Sequence, residues 1–169
     1  MAKRKSVNAL SNAKLTQLRT LLDQYISKPT NNPVTEHQNA GMDMTLMIHD
    51  QGFVAWHQHF LAELETWLVN NNGSQFMPLP FWDPAKPIPA QLNKNNNNVS
   101  MALPKNLRPA ALKKIKSYDV INGRLVPYHN AVHNALGGQM PNPDTSPSDP
   151  IFWPFHSFLV AVYERWRNL

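Results

Sequence analysis

At 169 residues the chain is the size of a single domain, residues 1–169, and long enough to bury a core without covalent staples. It has no cysteine, which excludes a disulfide framework, thiolate metal sites and a cysteine nucleophile, and leaves the compartment open. The net charge of +5 falls largely on Lys3, Arg4 and Lys5 and on Lys105, Arg108, Lys113, Lys114 and Lys116. With no aromatic residue interleaved, these patches read as a frayed terminus and a solvated face, and no nucleic-acid partner is expected. The basic start is not followed by an apolar stretch, so no secretory signal is expected. The longest apolar run, Pro150 to Tyr163, is too short to span a bilayer. The chain reads as soluble, with the cytoplasm slightly favoured and the oligomeric state open.

Helix signals dominate in chain order. Ser11 is placed to cap a helix running to about Lys28, with Leu15, Leu18, Leu22 and Tyr25 on one face. Pro29 to Pro33 break the chain, and a short segment with His37 follows. A strong helix is predicted from about Phe53 to Val69, ended by Asn70 to Gly73. Residues 71 to 104 read as loop, rich in proline and asparagine, with Asn95 to Asn98 as a mobile tip. Asn122-Gly123 between apolar residues predicts a small hairpin over Val120 to Val126. A helix carrying His129 and His133 is predicted after Pro127, stopped by Gly137 and Gly138. A proline-rich loop then leads to a last helix, about Phe152 to Arg167. The fold class is mainly α, with long loops and at most that hairpin.

Helical geometry sorts the histidines. His57 shares a stripe with Leu61, Leu64 and Leu68 and points inward, whereas His59 lies with Glu63, Thr66 and Asn70 on the wet face. His156 shares a stripe with Val160 and Tyr163, leaving Ser157, Ala161 and Glu164 to face away. His129 and His133 leave one helix face a turn apart. One inward histidine is ordinarily a core residue. Four on three helices need many partners for their ring nitrogens, and a metal satisfies several at once.

The donor set narrows the metal. In a metalloprotease the residue after the first histidine of an HxxxH pair is glutamate; here it is Asn130. A di-iron carboxylate bundle needs Glu-x-x-His pairs, and the sequence has none. Imidazole-only ligation suits copper or zinc, and the affinity order favours copper.

Four segments, in order over about residues 49 to 166, resemble the signatures of the tyrosinase family of type 3 copper oxidases. In His49 to Glu65, Phe53, Trp56, His57, Leu61 and Glu65 match the first copper-site motif. Leu79 to Pro84 is similar to the family's Pro-Tyr-Trp-Asp segment. His129 to Met140 resembles the second-site helix with its Gly-Gly turn. Asp149 to His156 resembles the Asp-Pro-x-Phe signature that ends in the last ligand. Departures are Gln58 where the family has arginine, Val160 where it has aspartate, and Phe155 before His156 where a histidine is common. His49 stands one residue nearer His57 than usual, and His37 nearer His49.

The resemblance implies a helical bundle holding a dicopper centre between helix pairs. Copper A would take His37, His49 and His57, and copper B would take His129, His133 and His156. With O2 as co-substrate, such a centre hydroxylates monophenols at the ortho position and oxidises o-diphenols to o-quinones. Asn130 and Asp119 would hold the water that deprotonates monophenols; Asp119 is displaced from the usual offset. Pro143 falls where relatives line the substrate entrance, and Asp83 is read either as a partner of an imidazole or as a cap of its own segment. Catechol or o-aminophenol oxidation without hydroxylation, and haemocyanin-like oxygen binding, are the alternatives sharing the site. Because the chain ends with its last ligand helix, no shielding domain is expected. The pocket should therefore admit bulky phenols, including tyrosine in peptides.

Overall fold

The computed structural model describes residues 3–169. Its helices are α1 (Asn12–Ile26), α2 (Pro33–Met42), α3 (Phe53–Asn70), α4 (Pro109–Leu112), α5 (Tyr118–Leu136) and α6 (Phe152–Arg167), joined by long loops with short 3-10 turns. The described residues form no sheet; a single parallel bridge joins Ser6 and Phe81.

Ser11 caps α1, its side chain accepting from Lys14 N–H, and Leu15, Leu18, Leu22 and Tyr25 are buried as the stripe predicts. Helix α2 starts on Pro33 behind the Asn32 cap, an arrangement in which proline's missing N–H costs nothing. Helix α3 is the centre of the fold. It packs on α6 most extensively and also on α1 and α5. Tyr25, Trp67, Phe60 and Trp153 fill the α1–α3–α6 junction, with ring centroids 4.9–5.3 Å apart along the Tyr25–Trp67, Tyr25–Trp153 and Phe60–Trp153 contacts.

The hairpin expected at Val120 to Val126 is not formed: α5 runs unbroken through Pro127. Ile121, Leu125, Tyr128, Val132 and Leu136 are all buried at helical spacing, so the apolar period continues across the proline. Asn122, which a hairpin would leave at the turn, is buried instead. Its amide donates to Asp50 O at 2.7 Å and its carbonyl accepts from Val54 N–H at 3.1 Å. That side chain clamps α5 to the start of α3 and so fixes the segment between His49 and His57. Asn122→Leu should destabilise the fold by about 1–3 kcal/mol, the cost of orphaning buried polar groups. Denaturant unfolding checks this; an unchanged midpoint would show that water replaces the clamp.

Three other expectations are corrected. The Asn95 to Asn98 run is tied down, not a free tip: Asn95 donates to the Asp149 carboxylate at 2.9 Å, and Asn93 and Asn97 bond each other. Gly138, at φ +59°, leaves room for Asn95, whose amide would lie 2.1 Å from any Cβ there. Ser157 does not face away. It is fully buried and donates to Leu79 O at 2.7 Å, because the 76–84 segment covers that side of α6. Arg4 does not belong to a frayed terminus. The chain around it pairs with Phe81, and its guanidinium, largely buried, bridges Glu65 and Glu164. Lys105, Arg108, Lys113, Lys114 and Lys116 are exposed as expected. No helix among the described residues is long and apolar enough to cross a membrane.

Candidate metal centre

Helices α2, α3, α5 and α6 bring six histidines together as two groups. His37, His49 and His57 have one ring nitrogen each within 4.8 Å of one another, and so have His129, His133 and His156. His37 comes from α2, His57 from α3, His129 and His133 from α5, and His156 from α6; His49 sits on the turn before α3. The groups adjoin. His57 stacks on His156 with centroids 4.6 Å apart, and His49 lies 6.5 Å from His129. Phe53 and Phe152 pack against both groups, Phe152 stacking on His156 at 3.8 Å and Phe53 meeting His129 at a tilt, with centroids 4.5 Å apart. His59 is turned to solvent beside Glu63, as its stripe predicts.

The hydrogen bonds decide which face each imidazole presents. Nδ1 of His57 meets Phe53 O at 2.8 Å, Nδ1 of His156 meets Phe152 O at 2.9 Å, and Nδ1 of His133 meets Met140 O at 2.6 Å. Nδ1 of His129 meets Asn130 Oδ1 at 2.8 Å. Every one of those partners is an oxygen acceptor, so each Nδ1 carries the proton and each Nε2 is a bare lone pair. The Nε2 atoms of His57 and His133 are buried without a partner. Those of His129 and His156 face each other at 3.2 Å, two lone pairs with no proton between them. A cation relieves all four. Nδ1 of His37 is likewise buried and unpartnered, while the backbone of Pro143 accepts from that ring.

Electrostatics agree. Burial, reinforced by the other imidazoles, holds His57, His129 and His156 well below the usual histidine range. Burial also lowers His37 to about 3 and His133 to about 4. His49 is half-buried, and burial lowers it too, against the opposing charge of Asp144. The rings are therefore neutral near pH 7, the form that binds metal, and no proton must leave first. Two sets of three neutral imidazoles, with no thiolate or carboxylate among them, fit two copper ions.

The remaining expected site residues are less central. Asn130 is exposed and orients His129. Asp119 is exposed in the first turn of α5, ten residues before His129, or about 15 Å along the axis. Asp83 caps its own segment, accepting from Ala85 N–H, and touches no imidazole. Sequence reasoning missed the orienting acceptors Phe53 O, Phe152 O and Met140 O. Two had a readable signal: each lies four residues before an inward histidine on the same helix, within reach of its Nδ1.

The sequence matches the family profile described as the common central domain of tyrosinase over residues 19–119 and 88–169. It is 45% identical over 38 residues to "Tyrosinase HcTyr1" of Hahella sp. (strain CCB-MM4), covering 22% of this chain and 8% of that protein. It is 40% identical over 45 residues to "Tyrosinase" of Streptomyces lincolnensis, covering 27% and 16%. A "Tyrosinase-like protein" of Pinctada maxima is 49% identical over 40 residues, covering 24% and 9%. These matched stretches thus span between 8% and 16% of the curated relatives' own length.

Proposed function

The chain belongs to the tyrosinase family, and on that premise we propose that it is a dicopper oxidase using O2 to oxidise o-diphenols to o-quinones and to hydroxylate monophenols at the ortho carbon. The observation that carries this reading is the pair of adjoining histidine triads, with bare, buried nitrogens in both. His37, His49 and His57 would hold copper A, and His129, His133 and His156 copper B. Bound there, the pair of coppers would supply the two-electron chemistry with O2.

The residues of the chain have separate tasks. The carbonyls of Phe53, Phe152 and Met140 lock the tautomers of His57, His156 and His133, so ligand direction is set before any metal binds. Phe53 and Phe152 keep the interior dry, which strengthens every charge interaction within it. Asn130 orients His129 through Oδ1 and keeps its amide NH2 free at the exposed rim, where it can hold a water that takes the phenol proton. Pro143 is exposed and His49 half-buried, which supports access for bulky phenols, including tyrosine in peptides. The atoms balance. Two catechols and one O2 give two quinones and two waters; one phenol and one O2 give one o-quinone and one water.

A second reading, diphenol or aminophenol oxidation without hydroxylation, is favoured by the position of Asp119, which leaves Asn130 without that carboxylate. Assays of the copper-loaded protein on tert-butylcatechol and on tyramine separate the two. Quinone from both is the expected result. Quinone from the catechol alone overturns the hydroxylase part, and quinone from neither overturns the oxidase.

A further inference from the structure

We propose that Met42, Met44 and Met47 form a thioether site that captures cuprous ion and passes it to His49, the doorway to copper A; this inference rests on the dicopper reading above. These methionines, three of the chain's seven, lie within six residues on the link between His37 and His49. Methionine is ordinarily a core filler, as Met140 is here, yet Met42 is 66% exposed and Met44 82%. Met47 is half-buried two residues before His49.

The link is positioned and held. Met42 is the last residue of α2. A Cβ on the preceding Gly41 would lie 3.6 Å from Cε1 of His49, so this end of the helix borders the imidazole directly. His49 is also the one residue of the six histidines that is not fully buried, hence the one an arriving ion meets first. Met47 has φ +47°, a left-handed backbone that is costly for a side-chain-bearing residue. Its carbonyl accepts from both Asp50 N–H, at 2.9 Å, and Gly52 N–H, at 3.0 Å, which fixes the turn. Gly52 is required there, because a Cβ would sit 2.0 Å from Leu46 O.

The charge pattern favours a cation. Between Lys28 and Lys86 the sequence has no lysine or arginine, although the whole chain carries +5, and Asp43 and Asp50 lie on or beside the link itself. Asp43 stays ionised at the end of α2, its carboxylate accepting from Thr45 Oγ1 and N–H. The C-terminal end of α2 adds its negative partial charge. Among cations, thioether sulfur selects soft Cu(I) over harder Zn(II), and it binds without losing a proton. Transfer to His49 is ligand exchange alone, with copper remaining Cu(I) throughout.

The test uses metal-free protein with methyl-labelled methionine and silver(I), a redox-inert ion of the same softness. In a His57→Ala, His133→Ala background, which removes one ligand from each triad, silver should shift the methyl signals of Met42, Met44 and Met47 and leave Met77, Met101 and Met140 unmoved. In the otherwise native chain, Met42→Leu, Met44→Leu and Met47→Leu together should slow copper uptake from a buffered Cu(I) source about tenfold, with final copper content and melting temperature unchanged. Unmoved signals from Met42, Met44 and Met47, or uptake as fast as the parent's, would overturn the site. Silver shifts in a chain whose histidines take no copper would leave this site standing and overturn the oxidase reading instead.

Discussion

Alanine in place of His57 is expected to abolish phenol oxidation and to lower bound copper from about two ions per chain to about one, whereas alanine in place of His59 leaves both unchanged. The two residues stand on the same helix, two positions apart, and differ in direction. His57 is 1% exposed, its Nδ1 fixed by Phe53 O and its Nε2 aimed at the triad. His59 lies in solvent with a 3.4 Å contact to Glu63. On the proposed ligand set, removing one ligand of three would leave copper A with two donors and the O2 chemistry without its pair. Removing His59 costs at most an exposed contact, the kind that contributes about 0–1 kcal/mol. Copper content by elemental analysis and quinone formation by absorbance read both outcomes. Loss of copper on His59→Ala would contradict the assignment of faces on α3.

Glu65→Ala is expected to be the most destabilising single change outside the centre, by about 3–5 kcal/mol, which for a chain of this size lowers the melting temperature by on the order of 10 °C. Glu65 pairs with Arg4 and accepts from Leu79 N–H at 2.8 Å, while the same guanidinium reaches Leu79 O and Glu164. The carboxylate thus joins α3, the amino-terminal segment and the loop that covers α6. Without it, Arg4 is left in a largely buried place with Glu164, at 3.5 Å, as its remaining carboxylate. A burial of unpaired charge is what makes such a change costly. Differential scanning calorimetry checks it, and a shift under about 2 °C would show that Arg4 swings out to water at little cost.

The sequence was most legible where periodicity and capping act locally. The α1 stripe, the Ser11 cap and the opposite facing of His57 and His59 follow from helical geometry alone. It was least legible where a distant segment decides. Asn122-Gly123 has the local chemistry of a tight turn, and only the amide hydrogen bonds to Asp50 and Val54 make Asn122 a helical clamp. Ser157 reads as outward because a helix stripe carries no information about a loop laid over its other side. Arg4 reads as a tail residue until Glu65, far along the chain, is brought beside it. At the site, the histidine types and spacings suggested a metal. The tautomers that make the nitrogens bare come from backbone carbonyls at three rings and from Asn130 Oδ1 at His129; Met140 O, carried past the Gly-Gly turn to His133, has no local signal in the sequence.

Metal content after loading tests most directly whether the two triads hold a pair of coppers. Purified metal-free chain exposed to copper and then desalted should retain about two copper ions, and the oxidised protein should be silent in electron paramagnetic resonance because the adjoining sites couple. Retention of a single tightly held zinc, with no copper taken up in competition, would contradict it.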